Sequence, residues 1–164
     1  MTEYVASVLF AVTAHELAHL VVMRLLGIKR GRLSFGFFGV GIEAEYALCS
    51  HFKRAVVSLS GSGVNILVAV LFRPYTELSA ASLAYGIFNL LPHSALDGGE
   101  LVALTLASLG VSDGKRCAVL RFIDFVFTVL LWAVSVYLAL NGVGEGLLIS
   151  SLYMVFSTLC SSRS

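Results

Sequence analysis

Long apolar stretches separated by short polar connections dominate this chain. Five of them are long enough, or nearly long enough, to form membrane-spanning helices, because a bilayer core of about 30 Å needs about 20 helical residues. They cover approximately residues 4–28, 55–72, 78–91, 119–140 and 146–159. The apolar segment 101–109 is too short to span and is predicted to lie at the membrane interface. The pattern therefore predicts an all-α polytopic membrane protein with about five transmembrane helices.

The composition strengthens the membrane interpretation. Of the 164 residues, 58% are hydrophobic and 13% are charged, and the mean hydropathy is +0.91, whereas a soluble domain carries about 25% charged residues. A chain this short cannot bury so many apolar side chains in one core. Its length indicates a single membrane-embedded domain over 1–164, and a net charge of +1 indicates no surface for nucleic acid.

Basic residues gather on one side of the predicted topology. They flank the connections between the first and second spans and between the third and fourth spans: Lys29, Arg30, Arg32, Lys53, Arg54, Lys115, Arg116 and Arg121. By the positive-inside rule these connections are cytoplasmic, so the N-terminus is predicted outside and the C-terminus in the cytoplasm. Cys49, Cys117 and Cys160 then lie toward the reducing side, where disulfides are not expected.

The connection between the first two predicted spans is rich in glycine and aromatic residues. Residues 33–42, with the sequence LSFGFFGVGI, are apolar but too few to span as a helix. Glycines at this density favour turns and extended backbone, so we expect a short hairpin or a re-entrant loop. Such a segment can hold an extended substrate as an added strand, or it can rest on the membrane without a substrate role. The candidate substrate-binding residues are Phe35, Gly36, Phe37, Phe38 and Gly39.

The first apolar stretch contains the motif His15-Glu16-Leu17-Ala18-His19. On a helix, the two histidines lie one turn apart on one face, so both imidazoles can bind one zinc ion, and Glu16 lies where a carboxylate can activate water. Ionisable side chains are costly within a bilayer and are by default functional there. The motif therefore predicts a zinc site for hydrolysis within the membrane. The alternative is polar side chains that pack against other helices.

A catalytic zinc ion usually takes three protein ligands, so a third ligand must come from elsewhere in the chain. Asp97 is the strongest candidate, because Pro92 interrupts the third apolar stretch and Gly98-Gly99 permits a tight backbone beside the carboxylate. Irregular backbone at membrane depth is tolerated where it lines a water-filled cavity, which a zinc site also needs. The alternative role for Asp97 is to cap a helix over 101–109.

Three other side chains are possible ligands. Asp124 is the rival carboxylate, near the start of the fourth predicted span, where Arg121 could pair with it on the same helical face. His51 and His93 each lie at a loop or a helix break, and both are expected to be interfacial.

Two asparagines are candidates for contact with substrate. Asn89 could donate a hydrogen bond to the scissile carbonyl or to its developing oxyanion, although a bond between helices is the commoner role of a membrane asparagine. Asn65 follows the small residues 60–63, which let helices approach closely. A hydrogen bond across that helix contact is therefore the favoured role of Asn65.

Two motifs follow one another on separate apolar stretches. The HExxH run occupies 15–19, and about eighty residues later Asn89-Leu90-Leu91-Pro92 precedes Leu96-Asp97-Gly98-Gly99, which fits the pattern NxxPxxxLDG. In this order the two motifs resemble the site-2 protease family, the intramembrane zinc metalloproteases. The resemblance implies one zinc ion (Zn2+) per chain, with these residues around it: His15, His19 and Asp97 as ligands and Glu16 as general base.

The resemblance also implies an architecture. A three-helix protease core would cover 4–99, and two additional helices would cover 119–160, as in the bacterial branch that includes the sporulation-factor processing protease. The chain departs from the family pattern Ser-Gly-Pro-x-x-Asn at Ser62, which stands in place of the proline. This departure concerns local helix geometry rather than the metal ligands.

The function implied by the resemblance is cleavage of transmembrane or membrane-tethered protein substrates near the cytoplasmic face of a bacterial inner membrane, with a membrane regulator as a possible partner. One alternative is a zinc-binding membrane scaffold without catalysis, which would not need Glu16. Another is a metal transporter that uses the same three ligands, which would need more polar residues in the last two predicted spans. The sequence does not specify the substrate, the cleavage position or the oligomeric state.

Overall fold

The computed structural model describes residues 2–28, 33–36, 39–42, 49–142, 151–152 and 155. Within these residues there are five helices: α1 (Thr2–Leu25), α2 (His51–Leu71), α3 (Thr76–Asn89), α4 (Asp97–Ser108) and α5 (Asp113–Leu140). Two short strands, β1 (Leu33–Gly36) and β2 (Gly39–Ile42), lie between α1 and α2 in the chain. The predicted fifth span, 146–159, lies almost entirely outside the described residues.

Three of the described helices are long and apolar enough to cross a membrane: α1 from Glu3 onward, α2 and α5. The helix α3 has 14 residues and is about 21 Å long, shorter than a bilayer core of about 30 Å. It ends early because Pro92 cannot continue a helix and disfavours helical backbone in the residue before it. The described part of the chain thus has three helices of spanning length where the sequence predicted four.

Large apolar side chains cover the outside of the bundle. Leu9 and Val21 on α1, and Leu67 and Leu71 on α2, each leave more than half of their surface exposed. In water such a surface would favour aggregation, whereas lipid solvates it without cost. The buried interior is correspondingly rich in small and polar side chains rather than in large apolar ones.

The helix α2 packs against both α1 and α3. Its contact with α3 is close because Gly86 of α3 faces Ser62 and Asn65 of α2. A Cβ atom at Gly86 would lie 3.0 Å from the Cβ of Asn65 and 3.2 Å from the backbone oxygen of Ser62. The small residues of α2 therefore allow the close helix approach that the sequence predicted.

The glycine-rich connection contains a short antiparallel pair of strands. In β1 and β2, Leu33 pairs with Ile42 and Gly36 pairs with Gly39. The region was expected to form a hairpin or a re-entrant loop, and the strand pairing favours the hairpin. Phe37 and Phe38, two of the candidate substrate-binding residues, lie outside the described residues, and the substrate role of the whole segment stays a prediction.

A tightly folded turn connects α3 to α4 and leads directly into Asp97. A Cβ atom at Gly98 would lie 2.2 Å from the backbone oxygen of Leu90, and one at Gly99 would lie 2.2 Å from that of His93. Both positions require glycine because backbone, which cannot rotate away, occupies the space of a side chain. Asp97 is the first residue of α4, and Leu96 occupies the cap position.

Candidate metal centre

Three side-chain atoms from two helices converge on one point. The Nε2 atoms of His15 and His19 lie 3.1 Å apart. The Oδ2 atom of Asp97 lies 3.0 Å from the first nitrogen and 3.2 Å from the second. The helix α1 supplies the histidines from one face because they are four residues apart, and the start of α4 supplies the carboxylate. In the described part of the chain, this is the one group of three or more His, Cys, Asp or Glu residues arranged closely enough to hold a metal ion.

The histidine His19 is held in the tautomer that a metal ligand needs. Its Nδ1 lies 2.8 Å from the backbone oxygen of Val57 on α2, and since a carbonyl only accepts, Nδ1 carries the proton. The Nε2 lone pair of His19 is then free to face Asp97. Ser60 reinforces the arrangement, because its hydroxyl donates to the same Val57 oxygen at 2.6 Å. A backbone acceptor that fixes the ring in this way is the usual support for a metal-binding histidine.

The histidine His15 is oriented by Asn65, which is fully buried. The amide nitrogen Nδ2 of Asn65 lies 3.4 Å from Nδ1 of His15, and Oδ1 of Asn65 has no hydrogen-bond partner. The oxygen and nitrogen of an amide exchange places on a 180° rotation, and the assignment follows the hydrogen-bond network. With Oδ1 facing His15, Asn65 accepts the Nδ1 proton and leaves Nε2 as a metal donor. Asn65 thus forms the predicted contact between helices, and does so through a candidate ligand.

The backbone of α2 covers the two imidazoles at Gly61. A Cβ atom there would lie 2.6 Å from both Cε1 of His15 and Nε2 of His19. This contact explains the glycine between Ser60 and Ser62: any side chain would occupy the space of the rings. The sequence indicated small residues for helix packing but gave no sign that Gly61 borders the histidines.

These atoms fit a zinc ion on chemical grounds. The Oδ2 atom of Asp97 is buried and has no hydrogen-bond donor, and the lone pairs of two imidazoles face it. Three acceptors this close repel one another unless a positive charge lies among them, either a proton or a metal ion. Two imidazole nitrogens and one carboxylate oxygen form a typical catalytic zinc set.

The carboxylate of Asp97 is anionic at neutral pH. Burial works to raise the pKa of Asp97, but when a proton rather than a metal ion lies among the three groups, hydrogen bonding from His15 and His19 outweighs burial and holds that pKa below the ordinary value. A charged carboxylate is the form that binds a metal. The helix α4 that carries it is also tied to α2, because Arg54 Nε donates to Glu100 Oε1 at 3.0 Å.

Two further residues complete the surroundings of the site. Glu16 follows His15 on α1, is partly buried, and lies within electrostatic range of both histidines and Asp97. The ring of Tyr85 on α3 meets the ring of His15 edge-on, with centroids 5.1 Å apart and planes at 83°. Tyr85 was not predicted from the sequence, although it lies one helical turn before Asn89 and so shares its face.

Comparison with known proteins bears on this arrangement. Over 114 residues the chain is 32% identical to "Putative zinc metalloprotease Rip3" of Mycobacterium tuberculosis, in both strain H37Rv and strain Erdman. The match covers 57% of this chain and 28% of the length of that relative. The fold is similar to that of a site-2 protease from Methanocaldococcus jannaschii, with a TM-score of 0.73 and 19% identity over 97% of this chain and 77% of the other. These matches support a site-2 protease family assignment. No protein-family profile matches the chain.

Within this site-2 protease fold, the remaining candidate residues are not among the three that converge. Asn89 is buried and its Nδ2 donates to the Tyr85 backbone oxygen at 3.0 Å, within its own helix. His51 is exposed at the start of α2. The rival ligands His93 and Asp124 do not belong to the group of three converging side chains. Asp124 of α5 contacts the turn before α4, and His93 of that turn contacts α5. Arg121, the suggested partner of Asp124, instead donates from Nε to the backbone oxygen of Cys117 at 3.3 Å.

Asp97 does not cap α4, because Leu96 occupies the cap position and no side chain makes a cap hydrogen bond there. As the first residue of α4, Asp97 places a negative charge at a helix N-terminus, which is favourable there. The same position directs Oδ2 at the two imidazoles. The structure therefore joins the helix-start role and the candidate ligand role in one residue.

Proposed function

We propose that this chain is an intramembrane zinc metalloprotease that hydrolyses peptide bonds of transmembrane or membrane-tethered protein substrates. The observation that carries the proposal is the convergence of His15 Nε2, His19 Nε2 and Asp97 Oδ2 within 3.2 Å of one another, with Glu16 beside them on a helix of membrane-spanning length. The family assignment supports a peptidase. Because the chain matches only 28% of the relative's length, the activity of that longer protein is not carried over with it.

In the proposed mechanism, His15, His19 and Asp97 hold one zinc ion. Zinc bound there would supply a Lewis acid that acidifies water and polarises the scissile carbonyl. Glu16 accepts the proton of the attacking water and then delivers it to the leaving amine nitrogen. Val57 and Asn65 keep the Nδ1 protons of the histidines in place, so that both Nε2 lone pairs stay directed at the site.

The proposed substrate must unwind before cleavage, because a helix shields its own carbonyl groups. The paired strands β1 and β2 offer a template to which an extended segment could add as a further strand. We place cleavage near the cytoplasmic face of a bacterial inner membrane, with the N-terminus outside and the C-terminus in the cytoplasm, on the basis of the positive-inside distribution.

The test measures zinc content and cleavage of membrane-tethered reporter substrates in parallel for the native chain, Glu16→Gln and Asp97→Ala. We expect about one zinc per native chain. Glu16→Gln should keep the zinc and lose at least about 100-fold in cleavage, because it removes the general base. Asp97→Ala should lose zinc and cleavage together. Glu3→Gln, at an exposed glutamate in the first turn of the same helix, is the matched control and should change neither.

Two outcomes would contradict the proposal. Full cleavage by Glu16→Gln would remove the general-base role. Stoichiometric zinc in the native chain without cleavage of any reporter would favour the alternative of a zinc-binding membrane scaffold.

A further inference from the structure

A second buried polar cluster lies between α5 and the turn that precedes Asp97. Asp124 and Thr128 of α5 are 6% and 7% exposed, and His93 of the turn is 2% exposed. Asp124 and Thr128 are four residues apart and therefore share one face of α5. A buried carboxylate on a membrane-spanning helix is costly unless a specific partner satisfies it, so this cluster requires an explanation of its own.

The contacts of the cluster run from α5 to the turn. Oδ1 of Asp124 accepts the backbone N–H of Ser94 at 2.8 Å. Nδ1 of His93 accepts the backbone N–H of Ala95 at 3.1 Å, so the proton of the neutral ring is on Nε2. That Nε2 lies 3.5 Å from Oγ1 of Thr128, which can accept its proton. Burial lowers the pKa of His93, although the charge of Asp124 works in the opposite direction, so the ring is neutral at pH 7.

The turn passes these constraints on to Asp97. The backbone N–H of Leu96 donates to the His93 oxygen at 2.8 Å, and that of Gly99 donates to the Leu96 oxygen at 3.1 Å. Gly99 also packs directly on the His93 backbone, where no Cβ fits. A displacement of residues 93–95 would therefore move Asp97, since backbone contacts on both sides tie it to them.

We propose that Asp124 and Thr128 are positioning residues for the metal centre: α5 holds the 93–95 turn and so fixes the Asp97 carboxylate against the two histidines. The inference rests on the proposed metal site, in which Asp97 is a ligand. This inference assigns a defined role to α5. It also explains why a rival carboxylate is buried although it does not face the histidines: Asp124 acts as an acceptor for backbone rather than as a ligand.

A merely structural role for these residues predicts a different pattern of effects. If Asp124 only fills space on α5, its replacement lowers stability without changing the geometry at the metal. If it positions the turn, the acceptor oxygen is the essential feature, and a side chain that keeps the oxygen restores the site. Asn keeps an Oδ1 acceptor at nearly the same volume, whereas Ala does not.

The experiment uses the full chain in lipid nanodiscs and compares Asp124→Ala with Asp124→Asn. The probes are Zn2+ titration, the absorption spectrum of bound Co2+, and hydrogen exchange of the Ser94 amide without metal. We expect Asp124→Ala to bind zinc about 10- to 100-fold more weakly, to alter the Co2+ spectrum and to exchange faster at Ser94. Asp124→Asn should stay within about threefold of the native affinity with the native spectrum. Ser135→Ala, at a buried serine on the same helix, is the control and should leave all three unchanged.

Native zinc affinity and a native Co2+ spectrum in Asp124→Ala would overturn the proposal, and so would equal damage by Asn and Ala. If Asp124→Ala does not fold, Thr128→Val against Thr128→Ser decides, because serine keeps the hydroxyl that faces His93. The amide exchange separates this proposal from the proposed function: a native chain that binds no zinc contradicts the metal site, whereas unchanged Ser94 exchange in Asp124→Ala contradicts the positioning role.

Discussion

The two halves of the candidate metal centre are built in different ways. The histidine half is local: His15 and His19 lie one turn apart on α1, and the backbone and side chains of α2 fix their rings. The carboxylate half depends on distant parts of the chain, because Asp97 follows a turn of irregular backbone that α5 holds in place. The helical repeat is therefore enough to predict that the two histidines share a face. The position of the Asp97 carboxylate, in contrast, depends on the tertiary structure. The carboxylate half should accordingly be the easier one to disrupt from a distance.

The largest effect is expected from Gly98→Ala. The new methyl group would meet the backbone oxygens of Leu90 and Leu91 at 2.2 and 2.3 Å, and neither can rotate away. We expect the turn to open and the zinc affinity to fall by more than about 100-fold, since a ligand is lost rather than a support. Gly114→Ala, at a glycine in the first turn of α5 with open space around it, is the control and should bind zinc normally. Native zinc binding by Gly98→Ala would show that Asp97 does not depend on this turn.

The matching change on the histidine half is Gly61→Ala. Its methyl group would lie 2.6 Å from ring atoms of both histidines, which are side chains and can yield by rotating. We expect zinc binding to weaken by about 10- to 100-fold, as for loss of an outer support. In Gly63→Ala, two residues along the same helix, the methyl group meets open space, so affinity should be unchanged. Equal affinities in the two variants would contradict the close packing of α2 on the imidazoles.

A smaller effect is expected at Asn65, where the amide supports one histidine without touching the metal position. Asn65→Leu should lower zinc affinity by about tenfold, because the Nδ1 proton of His15 loses its acceptor. Asn65→Asp keeps an oxygen at that place and should recover most of the affinity. Isothermal titration with zinc measures both. If Asp and Leu weaken binding alike, the Asn65 amide does not act through its oxygen.

The contrast between the halves also explains what the sequence could predict. The spacing of His15 and His19 was sufficient, because the repeat of a helix fixes which side chains share a face. The roles of Gly61 and Tyr85 were not predictable in the same way, since they depend on how α2 and α3 pack against α1. For Asp97, the residue pattern left a cap and a ligand as alternatives, and only the folded turn decides against the cap, because Leu96 occupies that position and the Asp97 carboxylate faces the two histidines.

The helix at the third predicted span is shorter than a bilayer core for a local reason. The stretch 78–91 was interpreted as a span on hydropathy although it is itself short, and the helix α3 is equally short, with 14 residues that end at Asn89. Pro92 and the turn after it take the residues that a longer helix would need. Hydropathy measures how apolar a segment is, whereas the length of a helix is set by the residues that end it.

The smallest expected effect concerns His93, which lies on the carboxylate half. Burial lowers the pKa of this imidazole in the folded protein relative to the ordinary value of 6.5, against the opposing charge of Asp124. As the pH falls through 6.5, the unfolded chain therefore takes up a proton at His93 more readily than the folded protein does. The contribution of the neutral His93 ring to the free energy of unfolding is thus present above that pH and is lost below it. We expect the midpoint temperature of unfolding in detergent to decrease when the pH is lowered from 7.5 to 5.5. The decrease should be larger in the native chain than in His93→Gln, which cannot titrate at this position. The difference between the two chains isolates His93, because every other histidine is the same in both. An identical pH dependence would show that residue 93 is not held as a neutral imidazole, and α5 would then hold the turn through Asp124 alone.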